Sequence, residues 1–96
     1  MSRHPMLRLF LRKERARLRA AGDLQRVELL DQALGDPDLF DSVHDAVDDE
    51  YSHDAQVSGA FGGDLLSFFQ WLISNREEIL KLVLLLVSLF ATDTPE

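Results

Sequence analysis

Apolar residues recur at three- and four-residue steps along most of this chain, and that spacing predicts α-helices. Over residues 5–21, Leu7, Phe10, Leu11 and Leu18 share one face. Arg8, Arg12, Arg15 and Arg19 form a second stripe by the same spacing. Gly22 and Asp23 then mark either a stop and restart or a bend in one continuous helix. A second segment over 24–34 presents Val27, Leu30 and Leu34, with Gly35 as its expected C-terminal cap. Asp36-Pro37 is the sharpest local signal. Aspartate accepts from free amides at a helix start, and proline at the first helical position sacrifices no amide bond. The helix expected from there covers 37–51. Leu39, Phe40, Val43, Ala46, Val47 and Tyr51 lie on its apolar side, and Asp38, Asp41, Asp45, Asp48 and Asp49 lie opposite.

Residues 52–63 contain Ser58-Gly59 and Gly62-Gly63 and read as a loop. Asp64 is placed to cap a last helix over 65–91, which at 1.5 Å per residue would run roughly 40 Å. Leu65, Phe69, Leu72, Ile79, Val83, Leu86 and Phe90 follow alternating four- and three-residue steps. Ser67, Gln70, Ser74, Glu78, Lys81 and Ser88 leave only a narrow polar stripe. From Ile79 onward this helix is apolar almost all round, as a helix covered on several sides is. No segment alternates as a strand does. The expected architecture is all-α, a small bundle of about four helices with a long apolar C-terminal helix. As one domain over 1–96 it comprises a basic helix (1–21), an acidic helical pair (22–51), a loop (52–63), an apolar association helix (64–91) and a polar tail (92–96).

Charge sharpens this division. The net charge is −7 over 96 residues, but residues 1–21 carry seven Lys and Arg against Glu14 alone. Residues 22–64 carry twelve acids against Arg26. Such asymmetry calls for an anionic partner to the basic arm, inside the chain or outside it. The stripe Arg8, Arg12, Arg15, Arg19 matches the spacing of Asp38, Asp41, Asp45, Asp48, so the favoured partner is the acidic helix of the same chain. A solvated face, nucleic-acid phosphates and an anionic membrane surface are the other readings, none of them favoured.

The charge-free apolar run from Leu82 to Thr92 is about half a membrane crossing. Extending it takes in Arg76, Glu77, Glu78 and Lys81, at roughly 2.5–3.5 kcal/mol for each charge in the bilayer centre. The N-terminus lacks the apolar core and cleavage site of a secretory signal. A cytoplasmic or virion-associated location is expected. There are no cysteines, which excludes disulfides and thiolate metal sites.

Candidate chemistry is sparse. Glu50 and His53 lie three apart on one helix side, a spacing used in helical di-metal proteins, but only one copy is present, at a helix end. A solvated acidic helix end is the expectation, with no metal and no cofactor. Residues 59–63 lack the lysine and hydroxyl of a phosphate loop. No nucleophile occupies a strand–turn–helix elbow, and no catalytic activity is expected. Glu14 and Arg76 each interrupt an apolar face. Both are expected to reach past it to water. Arg76 has two alternatives, an acid of the third helix or a register-setting role between identical helices. Phe68 and Trp71 are expected in core or interface packing.

The segment Phe68-Phe69-Gln70-Trp71-Leu72-Ile73-Ser74-Asn75-Arg76-Glu77-Glu78-Ile79-Leu80, after a basic start and an acid-rich middle, resembles in layout short phage-encoded helical proteins of unannotated role. The resemblance covers the last third of the chain. It implies a virion-associated or assembly role and carries over no functional residue. The expected function is therefore a non-enzymatic assembly or adaptor protein, a homo-oligomer or the partner of a larger protein. Its interface would be Leu72, Ile79, Val83, Leu85, Leu86, Leu89 and Phe90. A small membrane-associated amphipathic protein and a nucleic-acid-packaging accessory are the alternatives.

Overall fold

The computed structural model describes the backbone of residues 4–58 and 65–93, and the side chains of 4–54 and 66–90. Five helices account for nearly all of it, in the order α1 (His4–Ala20), α2 (Leu24–Gly35), α3 (Pro37–Ser58), α4 (Leu65–Ser74) and α5 (Arg76–Asp93). Among the described residues there is no strand. The Asp64 cap and the glycine-rich stretch 59–63 lie outside the described residues, as do residues 94–96 of the tail.

The joints are set by local chemistry. Gly22 adopts φ +80°, the left-handed region that glycine enters without steric cost. Its amide donates to the Arg19 carbonyl at 3.0 Å, and the Asp23 amide donates to the Leu18 carbonyl at 2.9 Å. This pair of bonds is a Schellman closure, so α1 stops and does not bend into α2. Asp23 then caps α2 by accepting from the Arg26 amide. Gly35 ends α2 without a positive φ, and the turn is made by Asp36, in extended conformation. Asp36 Oδ1 accepts from the amides of Asp38 (3.0 Å) and Leu39 (3.2 Å), so one residue closes α2 and opens α3.

Two boundaries differ from expectation. α3 continues past Tyr51 to Ser58, because its polar last turns are held from outside. Trp71 Nε1 donates to Asp54 Oδ2 at 2.8 Å, and Tyr51 packs edge-on against Phe68 and Trp71. The expected single C-terminal helix is two. It breaks at Asn75, whose amide and side-chain Nδ2 both donate to the Trp71 carbonyl, while its own carbonyl accepts from Ile79 and starts α5. Asparagine competes for backbone groups in this way, which is why it favours helix ends over helix interiors.

The core draws on every helix. Leu7, Phe10 and Leu11 of α1, Leu30 of α2, Phe40 and Val43 of α3, Phe68 and Leu72 of α4, and Val83 and Val87 of α5 are all buried. α2 is central and packs against α1, α3 and α5; α1 also packs on α4, and α3 on α5. The molecule measures 44 × 32 × 20 Å. A thickness of 20 Å accommodates only two layers of helices about 10 Å across, so each helix keeps one side in water.

Candidate association surface

α5 buries Ile79, Leu80, Val83 and Val87 against the core. Its outer side holds Leu85, 56% exposed, and Leu89, 55% exposed, while Phe90, 43% exposed, continues the buried stripe of Val83 and Val87 toward the helix end. Leu85 and Leu89 lie four residues apart and are neighbours on the helix surface. Leu82 and Leu86, half-buried, border them. The residues expected at an interface thus divide: Leu72, Ile79 and Val83 belong to the internal core, Leu86 lies at its edge, Phe90 is partly open on the core side of α5, and Leu85 and Leu89 face water. Periodicity alone could not separate the two groups, because α5 is apolar on nearly every side. Leu66 (61%) and Ile73 (38%) add exposed apolar surface on α4.

The expected ladder between the basic stripe of α1 and the acidic stripe of α3 is not formed. Arg15 instead pairs with Asp31 of α2 through both Nε and Nη2. That hydrogen bond, then the Asp31 charge, holds the Arg15 pKa above its ordinary value. Arg8 donates to the Leu34 carbonyl at 3.4 Å and lies 4.4 Å from the centre of the Phe40 ring. Arg12 and Arg19 have no anionic partner among the described residues. Asp41 meets His4, at 3.1 Å, and no arginine. The reason is helix packing: α1 lies mainly along α2 and α4 and meets α3 near its own start, through His4 and Arg8, which leaves Arg12, Arg15 and Arg19 away from the α3 acids.

Glu14 and Arg76, expected to reach solvent separately, are each other's partner. Arg76 Nη2 donates to Glu14 Oε2 at 3.0 Å, and Arg17 donates to Glu14 Oε1 through Nε (3.0 Å) and Nη2 (2.7 Å). The Glu14 side chain is 2% exposed. The acid that Arg76 finds belongs to α1 and not to the third helix.

The sequence reading did not place His44 in the core. It is buried beside Phe40 and Val43 and stacks on His4 with ring centroids 3.7 Å apart. Neither ring nitrogen has a hydrogen-bond partner; Asp45 Oδ1, at 3.8 Å from Nδ1, is beyond reach. Burial pushes the His44 pKa below its ordinary 6.5, the charge on His4 adds to this, and Asp48 and Asp45 oppose it. A signal existed: His44 falls one turn after Phe40, inside the apolar face of α3.

Glu50 and His53 are exposed on α3. Among the described residues no three His, Asp or Glu side chains converge as metal ligands. An open cleft of about 430 Å³ lies at the α4–α5 joint, lined by residues 73–78. Among the described residues no helix is long and apolar enough to cross a membrane. No family model matches the sequence, and neither the curated proteins nor the solved structures contain a significant match to it.

Proposed function

We propose that this chain is a non-enzymatic helical assembly protein that associates with a second copy of itself through the outer side of α5. The observation that carries the reading is the exposure of Leu85 and Leu89 side by side, bordered by half-buried Leu82 and Leu86. Burying a large apolar side chain is worth roughly 1.5–3 kcal/mol, and soluble proteins seldom leave such surface contiguous and open. The two-layer thickness leaves no other described helix of the chain to cover it. An apolar stripe on a helix is self-complementary, which suits a two-fold contact between identical faces.

Sedimentation at micromolar concentration and high salt tests this. The wild-type protein is expected to run as an oligomer. Leu85→Glu with Leu89→Glu should yield a smaller species whose helix content is unchanged. A wild-type protein that stays monomeric over the same range rejects the reading.

A further inference from the structure

α1 and α3 each turn one strongly charged side to water. On α1 that side carries Arg12, Lys13 and Arg19 around Leu9, which is 41% exposed. None of the three cations has an anionic partner among the described residues. On α3 the exposed acids include Asp38, Asp41, Asp45, Asp49 and Glu50; Asp41 meets His4, and among the described residues Asp38, Asp49 and Glu50 have no cationic partner. The spacings agree. Arg12 and Arg19 are seven residues apart, as are Asp38 and Asp45, and seven residues of helix span about 10.5 Å. Within one chain the two faces do not engage: Arg15 is taken by Asp31 and Arg8 by Phe40 and the Leu34 carbonyl, and α1 meets α3 near its own start, through His4 and Arg8.

We propose that the outer basic face of α1 docks on the outer acidic face of α3 of a second copy. The contact joins two different surfaces and is separate from the apolar side of α5. A second copy fits better than a polyanion. It presents acids at the matching interval, whereas a nucleic acid meets a protein of net charge −7. Exposed ion pairs of this kind steer association and set its register, and they weaken as salt rises.

The test uses two charge-reversed proteins, R12E with R19E and D38K with D45K, built both on the wild-type chain and on the Leu85→Glu/Leu89→Glu chain. Sedimentation is run at about 0.01 M and about 1 M salt, where the screening length falls from about 30 Å to about 3 Å. On the chain with α5 disabled, the parent should form a larger species at low salt and lose it at high salt. Each reversed protein alone should lose it at both. Their equimolar mixture should recover it at low salt, since the reversed face of one meets the reversed face of the other. Circular dichroism reports folding, and a pair that loses helix is replaced by Arg12→Glu and Asp38→Lys singly. A mixture no larger than its components overturns the proposal. So does a wild-type protein that ignores its own copies at low salt but retards duplex DNA. Failure of the α5 contact is read separately, at high salt on the unmodified chain.

Discussion

Arg76 Nη2 lies 3.0 Å from Glu14 Oε2, joining residues 62 apart in the chain. The bond ties the first turn of α5 to the middle of α1, and Arg17 holds the other carboxylate oxygen. Arg76 Nε is buried without a hydrogen-bond partner, so the guanidinium depends on Glu14 for its place in the fold. Replacing either residue alone leaves a polar group stranded. Arg76→Leu is expected to cost about 1–3 kcal/mol in urea unfolding, the penalty for an unsatisfied buried acceptor. Glu14→Leu should cost a similar amount. The double substitution should recover part of the loss, because apolar residues can replace a buried pair at little net cost. Additive single effects would reject the coupling.

The His44 stack makes stability sensitive to acid. The folded pKa lies below the ordinary 6.5, so the unfolded chain binds the proton first as pH falls. The stabilising contribution is whole above about pH 6.5 and is lost as pH drops through the lowered folded value. His4 on α1 and Asp41, Asp45 and Asp48 on α3 are the charged groups around the ring. His44→Phe preserves the stacking and removes the titration. Urea midpoints measured between about pH 7.5 and about pH 5 should fall for the wild type and change less for the variant. Equal slopes would discard the assignment.

Arg15 and Asp31 link α1 to α2, whereas Arg15 and Asp45 do not meet. A double-mutant cycle on the Leu85→Glu/Leu89→Glu background, run at submicromolar protein and about 0.1 M salt, should detect coupling for the first pair and none for the second. Coupling between Arg15 and Asp45 there would restore the ladder that the helix order denies.

Trp71 is the single tryptophan, and it sits against Tyr51 while donating to Asp54. Its emission therefore reports on the docking of α3 to α4. Asp54→Ala should cost about 0.5–1.5 kcal/mol and shift the emission to the red. Phe68→Ala, at a fully buried position, should cost about 3–5 kcal/mol. An Asp54→Ala protein with unchanged emission and stability would show that the last turns of α3 are not held by this bond.

Much of the architecture was legible along the chain because its signals are local. A helix face needs only three- and four-residue spacing, and Gly22 and Asp36-Pro37 act within a few residues of themselves. These set the helical class, the place but not the kind of the Gly22 joint, the start of α3 at Asp36-Pro37 and the apolar excess of the C-terminal third. Asn75 also carried a local signal, but the unbroken apolar stripe around it hid the break. The extent of α3 past Tyr51 required Trp71, seventeen residues beyond Asp54. Spacing alone placed Arg15 opposite Asp45, and helix order sent it to Asp31. Spacing likewise grouped the core and surface positions of α5 together, since an all-apolar helix has no internal mark of which side is covered. Val83 went inside and Leu85 outside only when α2 and α3 arrived. Glu14 and Arg76 looked like two separate interruptions. They became one bond because the packing of α4 on α1, and of α5 behind it, brought together positions that no local rule relates.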